Sequence, residues 1–363
     1  MSVFDKLYYP EAIGDEQGRV FFYDNLRFIL IFLVVLRHFL FRVHVSFPAV
    51  EGLYMLFLTF LMPLFIFITG FYAKSVYSKD GGFRIGRVCM FVLLYVLLSF
   101  LIFITDFIIR DGRAEWTPLE MINAAWYLWA CAAWFALIPV LKRTPPVATV
   151  IVTVALSLGV GYFEQVYYFL SLSKIITFLP FFAVGYYMSR PQMTGFLALG
   201  ARWRVLAWAV VAVFAFCVIM WHTEANFWMK RILEAKDPYV FAWRGRGPWE
   251  LGALWRLCWY AGASAMCACA MLIVPRCRTL FTAFGSRTLQ IYIWHSVIVR
   301  ALVPAQFFLV LDSWGAGWGQ LAMVGAATAL TFLLSWKSLV EPMGLIERAT
   351  KGLVIGGKAN RSG

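Results

Sequence analysis

Residues 23–44 read YDNLRFILIFLVVLRHFLFRVH, and this stretch decides the fold class. It is long and apolar enough to enter a bilayer. Yet it opens with Asp24 and Arg27 and carries Arg37, His38, Arg42 and His44 in its second half. Arg or Lys near the middle of a membrane helix costs at least ~2.5–3.5 kcal/mol, so ionisable groups there usually face a polar interior and mark a functional path. Arg27 and His38 are eleven residues apart, close to three full turns at about 100° per residue. They share one helix face, separated by roughly 16 Å along the axis at ~1.5 Å per residue. His38 is expected near mid-membrane and Arg27 at the boundary the helix enters from, on one stripe but out of contact.

The rest of the chain agrees with a bilayer environment. Of its 363 residues 62% are hydrophobic and only 14% charged, with a mean hydropathy of +0.76. Soluble domains run near ~25% charged. Apolar runs of spanning length recur at about 25–46, 53–73, 88–109, 121–141, 147–163, 174–189, 205–222, 252–274, 288–310 and 317–337. The expectation is an all-α, polytopic membrane protein of about ten helices. A tail (1–20) precedes the membrane domain (21–345) and another (346–363) follows it. The FDKLYYPEAIGDEQ tail has no small-residue cleavage site after it, so the first run reads as a retained helix rather than a signal peptide.

Loop charge gives the orientation. From a cytoplasmic N-terminus, the inner loops hold Lys74, Lys79, Arg84, Arg87, Lys142, Arg143, Arg190, Arg202, Arg204, Arg276, Arg278 and Arg287, as the positive-inside bias requires. Both termini are therefore expected inside. The formal charge of +13 reads as this bias and not as a nucleic-acid partner. The seven cysteines show no metal or disulfide spacing and read as small core residues. The longest outer loop, 223–251, carries Trp228, Tyr239, Trp243 and Trp249, which fits either an interfacial aromatic belt or a surface that stacks on a sugar ring.

A few residues carry chemistry. His38, with an unperturbed pKa near ~6.5, fits a general base that burial keeps neutral, or a structural histidine bonded to a neighbouring helix. Arg42, one turn on, binds an anion or snorkels outward. Asp24 pairs with Arg27 or offsets the helix dipole. In FIFITGFYAKSVYSKDGGFRIGRV a helix is expected to end at Thr69–Gly70–Phe71. Arg84 and Arg87 then open the third span on one face. With Gly81 and Gly82 before them, they form an anion site at a helix N-terminus, or simply inner-face cations. Trp126-Tyr127-Leu128-Trp129 is a belt or a ring platform, and Glu164 a solvated turn residue. His295, with Ser286 and Tyr292 nearby in GSRTLQIYIWH, is a second membrane histidine that would share a cavity with His38.

With these residues in view, the chain resembles the membrane-bound acyltransferase 3 family over roughly residues 20–345, and within it the fucose 4-O-acetylase-like branch. The resemblance rests on Arg27-x10-His38, PLFIFITGF (63–71), Arg84-x-x-Arg87, AWYLWA (125–130), FLPFFAVGYY (178–187), SRTLQIYIWH (286–295) and VEP (340–342). Thr69 stands where the family usually has Ser, and Arg37 where a small residue is expected. The resemblance implies ten membrane helices in the plasma (inner) membrane. It also implies transfer of an acyl group, usually acetyl from acetyl-CoA, to a hydroxyl of a carbohydrate or glycolipid acceptor without a metal. On that footing His38 is the general base, with Arg27 further along the same catalytic stripe, and Arg27, Arg84 and Arg87 hold the CoA phosphates. Asp24, Trp126, Trp129, Ser286 and His295 are candidates for the substrate side. Direct attack on the thioester and a covalent acyl-histidine both remain open. A proton-coupled transporter or flippase is the competing class, but no inverted repeat or paired broken helices are visible. A catalytically dead structural partner is a further alternative, against which the intact Arg27, His38, Arg84 and Arg87 speak.

Overall fold

The computed structural model describes residues 20–40, 48–78, 81–119, 124–167, 169–220, 230–235, 237–242, 248–315, 317–351 and 353. Arg42, His44, Lys79, Trp228, Trp243 and both chain ends (1–19 and 354–363) lie outside the described residues. The described backbone is helical, with no strand beyond isolated bridges such as Tyr77–Phe83.

The helices are α1 (Phe21–Leu40), α2 (Pro48–Ala73), α3 (Ile85–Ile109), α4 (Trp126–Leu141), α5 (Pro146–Val160), α6 (Leu172–Tyr187) and α7 (Arg190–Leu197). After them come α8 (Ala201–Met220), α9 (Gly252–Ile273), α10 (Thr288–Leu302), α11 (Phe307–Asp312), α12 (Trp318–Leu334) and α13 (Glu341–Thr350). Four segments are long and apolar enough to cross a membrane: Val50–Val76, Ile85–Ile109, Ala201–Met220 and Trp249–Ile273. α6 and α7 together reach that length but bend by 94° at their junction. α4, α5 and α12 are apolar and shorter. Where 288–310 was expected as one run, α10 stops at Leu302 and α11 starts at Phe307, after Gln306 at φ +54°. The expected end at Thr69–Gly70–Phe71 falls a turn early, since α2 runs on to Ala73 and into a 3-10 turn to Val76.

The surface is that of a membrane protein. Large apolar side chains such as Val205, Trp208, Val213 and Phe216 on α8 and Leu93 and Phe100 on α3 point outward, where lipid removes the penalty water would exact. Cys131 and Cys267 are buried as expected, but Cys217 and Cys258 are exposed. A small apolar thiol sits as comfortably against lipid as in a core.

The chain divides into two compact units, with three of the divisions falling inside α2, α7 and α9. Residues 1–61, 194–226 and 262–340 form the first. There α1 packs against α10, α12 and the 3-10 turn Thr282–Arg287, and Phe28 meets Phe281, Phe284 and Phe332 at 5.4–5.7 Å between ring centroids. The C-terminal end of α12 leaves carbonyls without helical partners. Arg287 Nη1 donates to Ser335 O at 2.7 Å, and Gln290 Nε2 to Leu334 O and Trp336 O at 2.5 and 2.9 Å. The cation at this C-terminus also opposes the helix dipole.

Residues 62–193, 227–261 and 341–363 form the second unit, in which α3 packs on α4 and α13, and α6 on α4 and α5. Gly70 and Gly185 let α2 and α6 cross backbone to backbone. A Cβ on Gly70 would stand 2.2 Å from Phe182 O, and one on Gly185 2.0 Å from Phe67 O. Small residues at such crossings are the membrane-helix solution to close packing.

Candidate active site

The start of α1 is held by one buried side chain. Asn25 is 0% exposed. Its amide donates to Pro275 O at 3.0 Å and Cys277 O at 2.8 Å. Its carbonyl accepts from Thr279 Oγ1 at 2.9 Å and Thr282 Oγ1 at 2.6 Å. Both donors and both acceptor sites of the amide are thereby used. Gly285 presses on the same point, since a Cβ there would lie 2.3 Å from Asp24 O. Asp24 is buried and its carboxylate is 4.0 Å from the half-buried guanidinium of Arg27. The i, i+3 pair expected from the sequence is formed.

Three turns on from Arg27, His38 lies half-buried in the last turn of α1. Its ring is 5.3 Å, centroid to centroid, from that of His295 on α10, tilted by 45°. His295 is 0% exposed, and its Nδ1 lies 2.8 Å from Ile291 O. Tyr292 stands edge-on to it at 5.7 Å. The structure thus brings together the two histidines that the sequence paired only by type. Arg37 turns to α2 instead. Its Nη2 donates to Tyr54 OH at 2.9 Å, and its guanidinium carbon lies 4.9 Å from the centre of that ring. Cation and ring fix each other, which accounts for an arginine at this position.

In the second unit Arg84 is the N-cap of α3 and Arg87 lies in its first turn, both half-buried. No side-chain hydrogen bond or ion pair engages either among the described residues. The amides around them are taken, however. Ile85 N donates to Phe83 O, Arg87 N to Arg84 O, and Gly86 N to Leu353 O, each at 3.0 Å. The end of α13 seals this helix start, since a Cβ on Gly86 would overlap Thr350 O. The expected N-terminal anion site is therefore reduced to the two guanidinium side chains. Gly81, at φ +80°, closes the turn Ser78–Gly82.

Three sequence motifs meet in this unit. Thr69 Oγ1 is 2.7 Å from Tyr127 OH and donates to Phe65 O at 2.9 Å. Trp126 stacks on Phe178 at 5.5 Å, and Gly70 crosses at Phe182. PLFIFITGF, AWYLWA and FLPFFAVGYY are one packing node.

Residues 20–336 match the acyltransferase domain family. The chain belongs to the acyltransferase 3 family. No curated protein and no solved structure matches it. As an acyltransferase it needs an acyl donor and an acceptor, and the described residues hold no cluster of metal ligands.

The remaining candidates of this acyltransferase are less open than expected. Trp126 has Phe178 on its ring and Lys174 Nζ 5.3 Å from its centre. Trp129 leans on Tyr95 at 5.6 Å. Ser286 is exposed on the turn before α10, nine residues and more than two turns from His295. Glu164 is exposed. In the 223–251 loop, Tyr239 is no surface platform. Its ring is wedged between Gly161 and Gly252, Arg256 lies 4.6 Å from its centre, and its phenol is pushed up by burial. Sequence reading missed Asn25 and Gly285, whose partners lie some 250 residues away in the chain.

Proposed function

We propose that this acyltransferase moves an acetyl group from acetyl-CoA to a hydroxyl of a carbohydrate or glycolipid acceptor in the cell envelope, with His38 as general base. The observation that carries the reading is the α1 stripe. Arg27, clamped by Asp24, lies three turns from a histidine whose ring meets a second buried histidine. A neutral imidazole at such a place accepts the hydroxyl proton as oxygen attacks the thioester carbonyl. The C–S bond then breaks, and the imidazolium returns the proton to the CoA thiolate. The donor's phosphates are assigned to Arg84 and Arg87, whose side chains are uncommitted among the described residues, and Arg27 is a further cation for its anionic groups. Ten spans with both termini cytoplasmic, in the plasma membrane, complete the proposal on the charge pattern of the loops.

The test is release of free thiol from acetyl-CoA by the purified protein in detergent, with a panel of glycosides as acceptors. His38→Ala is expected to abolish release while the elution profile and melting temperature stay those of the wild type. Full activity in that variant sinks the mechanism.

A further inference from the structure

We propose that the second unit binds an oxyanion, a carboxylate or phosphate group, on the buried guanidinium of Arg256. The inference is independent of the reading of His38 as base and stands or falls alone.

Arg256, near the start of α9, is 0% exposed. One of its nitrogens is committed, since Nη1 donates to Ser157 O near the end of α5 at 2.7 Å. Its guanidinium carbon lies 4.6 Å from the centre of the Tyr239 ring. The other two nitrogens, Nε and Nη2, are buried and have no hydrogen-bond partner, although buried polar atoms are almost always paired. Their N–H groups point the same way from one edge of the planar group. That edge is the fork that takes both oxygens of a carboxylate or a phosphate. The nitrogen already used lies outside it.

An unpaired charge away from water is the costly case, and an arginine inside a membrane bundle normally faces a partner or a functional path. Among the described residues no carboxylate pairs with Arg256. Asp237, two positions before Tyr239, is held by Arg231 Nε at 2.6 Å. The Tyr239 ring offers the cation only a π face.

The surroundings are rich in donors. Among the described residues of the second unit, the buried side-chain atoms without a partner are Arg256 Nε and Nη2, Trp259 Nε1, Thr177 Oγ1 and Tyr167 OH. The three nitrogens can only donate and the two hydroxyls can donate. Trp259 and Tyr260 follow Arg256 by three and four positions and so share its face of α9. Tyr260 OH donates to Thr177 O on α6 at 2.5 Å and meets Ser157 Oγ on α5. Trp259 lies 5.7 Å from the rings of Phe178 and Phe181 on α6. Surplus donors around an unpaired cation repel metal ions and attract anions. Tyr239 N and OH donate to Gly161 O and Leu158 O at 2.8 and 3.2 Å, which lays residues 239–242 over the guanidinium as a cover. An anion reaches the fork when this cover lifts.

The full-length wild type and Arg256→Met are purified in maltoside with chloride as the only anion. Melting temperature is followed as inorganic phosphate, or acetate as the carboxylate probe, replaces chloride at fixed ionic strength. The wild type should gain on the order of 5 °C at about a hundredfold excess of the bound probe over its Kd. Arg256→Met should not respond. In chloride it should melt level with the wild type or above it, because it removes an uncompensated charge at similar volume. Arg256→Lys keeps the charge without the fork and should bind about tenfold or more weakly. Should Arg256→Met fail to elute as a single species, the comparison with Arg256→Lys decides.

Mixed micelles with dioleoyl phosphatidate form the second arm. A response to phosphatidate alone makes the occupant a lipid headgroup, and a response to phosphate or acetate makes it a free anion. Either supports the site if the variant lacks it. Native mass spectrometry covers a ligand retained from the cell, since an anionic adduct on the wild type that the variant lacks also carries the proposal. Equal shifts in wild type and variant, or no shift with any probe and no adduct, overturn it. A response to added sodium chloride as large as that to the oxyanions does the same. So does an Arg256→Met protein that melts well below the wild type while neither responds to anions, which would leave Arg256 a structural tie to Ser157.

Discussion

Consider the loss of the Asn25 side chain. The amide makes four hydrogen bonds from a site with no exposure, two to the carbonyls of Pro275 and Cys277 and two from the hydroxyls of Thr279 and Thr282. In Asn25→Ala the hydroxyls have a fallback, since their oxygens already lie 3.0 Å apart. The two carbonyls have none. At about 1–3 kcal/mol for each buried group left unsatisfied, the variant should lose roughly 4 kcal/mol. Asn25→Asp should be no better, because it keeps the two acceptor bonds but sets a carboxylate oxygen against two carbonyls. With Tm falling by roughly 2–4 °C per kcal/mol in mid-sized domains, the melt should drop by on the order of 10 °C. Fluorescence-detected gel filtration of detergent extracts after graded heating measures this. If both variants melt within about 2 °C of the wild type, the claim that Asn25 anchors α1 is wrong.

The crossing of α2 and α6 makes Gly70→Ala and Gly185→Ala severe, because each Cβ meets a carbonyl oxygen at 2.2 or 2.0 Å. Both should fail to elute as a single species, whereas Gly195→Ala, with open space around it, should behave as the wild type. Thr69→Ser keeps the hydroxyl that meets Tyr127 and should retain near-full stability, while Thr69→Val should cost about 0.5–1.5 kcal/mol in thermal melts by removing that hydrogen bond. Arg84→Ala and Arg87→Ala should raise KM for acetyl-CoA about tenfold or more, with kcat little changed, on the strength of ~1.5–3 kcal/mol per charged hydrogen bond. An unchanged KM removes both arginines from the donor site.

How much of this was readable beforehand depends on the range of the interaction. The Asp24–Arg27 pair and the His38 stripe follow from helical period alone, and both are present on α1. The helical class follows from composition. Motif order gave the contacts of Thr69, Trp126 and Gly185 only as a list, and space turned the list into a node. Breaks between helices were less visible. Nothing in 288–310 announces the stop at Leu302, and the 94° bend after Tyr187 lies in a stretch that reads as one apolar run and a basic loop. The open helix start expected at Arg84 is filled by Leu353 O, from a tail that shows no such purpose in sequence. Likewise Asn25 looks like an ordinary first-turn residue until a segment 250 positions later folds over it.

The caps on α12 have a bearing on how this protein tolerates change. Arg287 and Gln290 anchor the front of α10, and His295 follows Gln290 by five positions. On the opposing helix His38 follows the Asn25 anchor by thirteen. Each histidine is thus delivered by a count of residues from a fixed point. One residue gained or lost in either interval would swing the ring by about 100°, so these two stretches should accept many exchanges of apolar type but no change of length.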